Sequence, residues 1–111
     1  LDGSDSYVST APLPQRIKAK TFEAWVRLAD LNQRGAGVMT LQTLDGSLFD
    51  ALAYGEREAG HWLAGSNFFQ RTKDFQGTAE KEADRQFVHM ALVYHGDGRI
   101  AAYRNGQPYG R

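Results

Sequence analysis

The chain has 111 residues and a mass of 12.4 kDa, enough for one modest core that buries about two-thirds of the unfolded surface. Hydrophobic residues make up 41% and charged residues 23% of it, a composition that separates it from disordered chains. Thirteen basic side chains face thirteen acidic ones, so the cationic footprint of a nucleic-acid or anionic-membrane binder is missing, and the absence of cysteine excludes disulfides, thiolate metal sites and a thiol nucleophile.

The apolar residues come in short clusters of period two, punctuated by Gly, Asp and Asn, which is the pattern of an all-β sandwich. The first strong strand is residues 22–28, with Phe22, Ala24, Val26 and Leu28 on one face and Glu23, Trp25 and Arg27 on the other. A turn-rich stretch, 32–37, leads to a strand over 38–44. Asp45-Gly46 then signals a hairpin into 47–54. A second hairpin, with the charged loop 55–60, leads to a strand beginning at His61.

Residues 65–86 lack a regular period. They read as a long loop with one helical turn near Glu80 to Arg85, and a loop of that length is often functional. The clearest signal follows. Two strands, 87–94 and 99–104, are joined by Gly96-Asp97-Gly98, and Asn105-Gly106 starts a reversal into Gln107-Pro108-Tyr109, giving a three-stranded meander. No repeat, linker or low-complexity tract divides the chain, so residues 1–111 read as a single domain. The best apolar run, Met90 to Tyr94, is far short of a membrane span, and no membrane insertion is expected.

Several chemistries are unsupported by the spacing. Glycoside hydrolysis needs two carboxylates about 5 Å or more apart across one bond. The acidic clusters Glu56/Glu58 and Glu80/Glu82/Asp84 are interleaved with Arg57, Lys81 and Arg85, and read as charge-paired, solvated loops. No Gly-x-Ser-x-Gly elbow is present. His89 and His95 lie too far apart along one strand to share a metal ion, so His89 reads as a packed or hydrogen-bonded residue.

Thr21-Phe22-Glu23-Ala24-Trp25-Val26, Gly37-Val38-Met39, Val88-His89-Met90-Ala91-Leu92-Val93-Tyr94 and Asp97 to Gly106 together resemble the laminin-G-like domains of the concanavalin A-like lectin/glucanase superfamily. The opening Leu1 to Val8 is similar to that family's first strand. The central run, with Gly65-Ser66-Asn67 and Arg71 to Phe75, resembles the modules embedded in large planctomycete proteins. The resemblance implies an antiparallel β-sandwich of jelly-roll type, incomplete at its C-terminus because the family's sandwich continues beyond the Asn-Gly turn. Self-association through a sheet edge would then cover the open side.

The resemblance also implies a non-catalytic binding module of a larger exported, extracytoplasmic bacterial protein, and the start at Leu1 without an initiator Met suggests a piece excised from a longer polypeptide. Carbohydrate is the expected ligand, with protein interaction or scaffolding the alternative. Residue types suited to sugar stacking and hydroxyl recognition occur at Tyr54, Arg57, Trp62, Asn67, Arg71, Lys73 and Asp74. One calcium ion at the sandwich rim is a further implication, with Asp2, Asp45, Asp50, Asp74 and Asp97 as candidate ligands.

Overall fold

The computed structural model describes residues 5–15, 17–66 and 72–110. Eight strands are present there: β1 (Lys20–Val26), β2 (Ala36–Gln42), β3 (Phe49–Tyr54), β4 (Trp62–Ser66), β5 (Lys73–Asp74), β6 (Val88–Tyr94), β7 (Ile100–Arg104) and β8 (Gln107–Pro108). They form two antiparallel sheets of four strands. Sheet A has the order β1-β6-β7-β8 and sheet B the order β2-β3-β4-β5. The all-β sandwich expected from period and punctuation is what forms.

Alternation explains how the layers meet. In β1 and β6 the pairs Phe22–Leu92, Ala24–Met90 and Val26–Val88 stand directly opposite each other. Apart from the half-buried Ala24 they are buried, and all of them point toward sheet B. From that side Leu52, Tyr54, Trp62, Ala64 and Phe75 complete one continuous core. Thr21, Glu23 and Trp25 alternate outward, and Trp25 is 68% exposed. In β2 the register shifts between Gly37 and Met39, a bulge that turns Val38 against the core.

The turn signals fold as their chemistry requires. Asn105 (φ 49°) and Gly106 (φ 79°) both occupy the left-handed region that a tight hairpin between β7 and β8 needs. Asn105 adds a side-chain bond, its Oδ1 accepting the His89 N–H at 2.8 Å. Beyond β8, the Tyr109 N–H donates to Ala102 at 2.8 Å, and its ring packs edge-on to Phe75 across the sandwich.

Four details differ from the sequence reading. Residues 5–8 carry no strand, and Tyr7 and Val8 are largely exposed; residues 1–4 lie outside the described part. The strand expected at 22–28 starts two residues earlier and ends at Val26, after which the Leu28 N–H donates to Ala83 at 2.8 Å. The supposed long loop contributes a strand to sheet B, since β5 pairs with Leu63 and Ala64 of β4. Its helical turn is present, with Arg85 and Gln86 N–H groups both donating to the Glu82 carbonyl.

The fourth difference is the largest. Glu80 was expected in a solvated charge cluster, but its side chain is fully buried. Oε1 accepts from Trp62 Nε1 and Arg104 Nε, each at 2.8 Å, while Oε2 accepts from Arg104 Nη2 at 2.8 Å. Oε2 also takes the N–H groups of Lys81, Glu82 and Ala83 at 2.9–3.2 Å, capping the helical turn. One carboxylate thus ties sheet A, sheet B and the connecting loop together. Burial alone would raise its pKa, but the bonds from Arg104, Trp62 and the Glu82 backbone outweigh that and hold it at about 2.

Candidate functional site

The expected binding residues do not form one cluster. Tyr54 and Trp62 sit in the core, 0% and 1% exposed, with their rings edge-on at 4.9 Å. The Tyr54 hydroxyl donates to the Leu31 carbonyl at 2.8 Å, and burial raises its pKa. Neither ring has a face to offer a sugar, which corrects their assignment as stacking residues. Arg57 pairs with Asp74 at 3.2 Å on the surface beside β4. Asn67 and Arg71 lie outside the described residues. Lys73 remains, exposed on β5.

The calcium candidates are also dispersed. Asp45 is committed to its own turn. Its Oδ1 accepts from the Ser47 N–H and from the Thr43 and Ser47 hydroxyls at 2.7–3.0 Å, bonds that hold its pKa at about 2. Asp97 accepts from the Arg99 backbone N–H at 3.1 Å and from its Nε at 2.8 Å, and both lower its pKa. Asp50 pairs with Lys20 and Asp74 with Arg57. Among the described residues no three His, Asp or Glu side chains converge on a point that could hold a metal ion. Asp2 lies outside them.

A concavity lies at one end of the sandwich, where β1, β3 and β7 begin and β6 ends. It has a volume of about 810 Å³ and is lined by Lys18, Lys20, Asp50, Lys73, Tyr94 and Arg99 among others, with Ile17 and Ile100 supplying apolar surface. Its floor is an ion pair that spans the two layers. Lys20 Nζ, from β1, lies 2.7 Å from Asp50 Oδ2 of β3 and 4.2 Å above the Tyr94 ring. Both charged side chains are mostly buried. A smaller hollow of about 260 Å³ lies on the outer face of sheet B over Gly37, Ala51 and Ala53, with Glu56 at its margin.

Of the residues singled out from sequence, the end cleft brings together Lys73 and Asp50 only. Lys18, Lys20, Tyr94 and Arg99 were missed. A signal for the floor did exist. Lys20 has the inward parity of Phe22, Ala24 and Val26, and Asp50 that of Leu52 and Tyr54. Opposite charges at inward positions, each near the start of its strand, can meet at one end of a sandwich.

The outer face of sheet A carries a second arrangement. His89 Nε2 lies 2.9 Å from Glu23 Oε1, and the His89 ring packs against the exposed Trp25 with centroids 5.1 Å apart. His89 is thus a hydrogen-bonded surface residue of the sandwich.

Two antiparallel sheets enclosing one core, with an open cleft at the strand ends, define a β-sandwich. The family model Laminin_G_3, described as concanavalin A-like lectin/glucanases superfamily, matches residues 2–111, and the chain belongs to that family. Domains of this superfamily are often binding modules for carbohydrate or protein. No curated protein and no solved structure matches the chain.

Proposed function

We propose that the chain is a non-catalytic carbohydrate-binding module that holds its ligand in the end cleft. The observation that carries this reading is the cleft itself: about 810 Å³, open to solvent, and lined by charged side chains together with Tyr94, Ile17 and Ile100. A saccharide presents hydroxyls and apolar C–H faces together, and such a mixed lining suits it. The absence of catalysis is supported by the carboxylates. Among the described residues Asp50 is the one carboxylate that lines the cleft, and it is held by Lys20, whereas hydrolysis calls for an acid and a nucleophile or base facing each other. Glu80 is locked by Arg104 and ionised at any ordinary pH. A place within a larger exported bacterial protein, of the kind seen in planctomycetes, belongs to the same reading.

Protein interaction is the second reading, favoured by Trp25 and Phe87, which are 68% and 60% exposed. Edge-to-edge pairing of two copies through β1, which among the described strands bonds to β6 alone, is part of that alternative.

A glycan array tests the choice when wild type is compared with Gly96→Trp. Gly96 lines the cleft, and a Cβ added there meets nothing within 4 Å, so a bulky side chain can be placed at the cleft wall without displacing backbone. Carbohydrate binding by the wild type that disappears in Gly96→Trp at unchanged Tm is expected. A silent array, or binding that survives the substitution, contradicts the proposal.

A further inference from the structure

We infer that the saccharide held by the end cleft is acidic, a chain whose pyranose rings carry carboxylate or sulfate groups; this rests on the carbohydrate reading above and narrows its ligand class. The chain as a whole is neutral, with 13 basic and 13 acidic side chains. The cleft is not. Lys18, Lys20, Lys73 and Arg99 line it together with Asp50.

The charges already met inside the protein are subtracted first. Lys20 is neutralised by Asp50 at 2.7 Å, and Arg99 by Asp97 at 2.8 Å. That leaves Lys18 and Lys73, both exposed, and neither has a carboxylate within ion-pair distance among the described residues. They approach from different layers: Lys18 precedes β1 of sheet A, and Lys73 belongs to β5 of sheet B. Two unneutralised ammonium groups therefore border one cleft.

A neutral sugar bound there would leave those groups facing water or sugar hydroxyls. An anionic substituent replaces that water with charge-assisted hydrogen bonds, which are roughly twice as strong as neutral ones. The cations also attract a charged chain before contact, an effect that salt screens.

The test measures affinities of the full chain for an alginate hexasaccharide (carboxylate), a heparin hexasaccharide (sulfate), neutral cellohexaose and a short single-stranded DNA. At least one acidic saccharide is expected to bind about tenfold or more tighter than cellohexaose, and which one does separates the two anion sources. Raising NaCl from about 50 mM to about 500 mM should erase most of that preference. Lys18→Ala/Lys73→Ala, confined to two exposed side chains, should reduce acidic binding to the cellohexaose level at unchanged Tm. Equal binding of cellohexaose by the wild type overturns the acidic class and leaves the carbohydrate reading standing. DNA binding as tight as that of the acidic saccharides overturns it by showing charge attraction without sugar recognition. Binding to none of the saccharides defeats both readings.

Discussion

Replacing Glu80 with glutamine keeps the shape of the side chain but removes its charge, and six hydrogen bonds converge on that charge. The amide oxygen can still serve Trp62 Nε1, but the amide nitrogen is a donor where Arg104 Nη2 and three backbone N–H groups also donate. The Arg104 guanidinium keeps Glu82, at 2.8 Å, as its remaining carboxylate. Breaking one side of a buried ion pair costs about 3–5 kcal/mol when the remaining charge is dry. Arg104 is 24% exposed, which lets water compensate in part, so a loss of about 2–4 kcal/mol is expected at pH 7. That corresponds to a Tm lower by about 9–17 °C.

The pH dependence gives the sharper signature. The folded-state pKa of Glu80 is about 2, below the ordinary 4.5, so its contribution is fully present above pH 4.5 and disappears as the pH falls toward 2. The gap corresponds to about 3 kcal/mol. Urea unfolding followed by tryptophan fluorescence should therefore show a large difference between wild type and Glu80→Gln at pH 7. That difference should shrink steadily between pH 5 and pH 2.5. A variant within about 0.5 kcal/mol of wild type at pH 7, or a difference that stays constant with pH, refutes the role assigned to Glu80.

Two further substitutions probe the hairpin and the cleft floor. Asn105→Ala places a non-glycine residue without a polar side chain at φ 49° and removes the bond to the His89 N–H; a cost of about 1–2 kcal/mol is expected, and Asn105→Gly should cost less because it restores the backbone freedom. Lys20→Met leaves Asp50 without its ammonium partner and should cost about 1–3 kcal/mol, while a double-mutant cycle with Asp50→Leu should return a coupling of about 1 kcal/mol or more in urea titrations; additive effects would show that the 2.7 Å pair does not fasten the two sheets.

The layers were legible because alternation is local. In β6 every second residue from Val88 to Tyr94 is buried, and the sequence displays that period without help from elsewhere. Asn105-Gly106 was equally readable, since the turn type depends on two adjacent residues. Trp62 and Tyr54 were misjudged as ligand contacts because their residue types suit sugars. Their parity within β4 and β3 already placed them on the face with Ala64 and Leu52, and the opposite sheet closes over them. Glu80 could not be read from its surroundings. Its partners Trp62 and Arg104 are 18 and 24 residues away, and near Glu80 the local sequence offers only Lys81 and Arg85 as cations. The cleft is a product of topology, because Lys18 and Lys73 meet only when sheet A is laid on sheet B.

Amide chemical-shift mapping of the uniformly ¹⁵N-labelled chain, titrated with the alginate hexasaccharide, tests most directly whether this sandwich holds an intact saccharide at the ends of its strands. Perturbations should concentrate at Lys18, Lys20, Asp50, Lys73 and Arg99, and the oligosaccharide signals should be unchanged after prolonged incubation. Perturbations centred on Trp25 and His89, or the growth of new reducing-end signals from cleaved sugar, would contradict it.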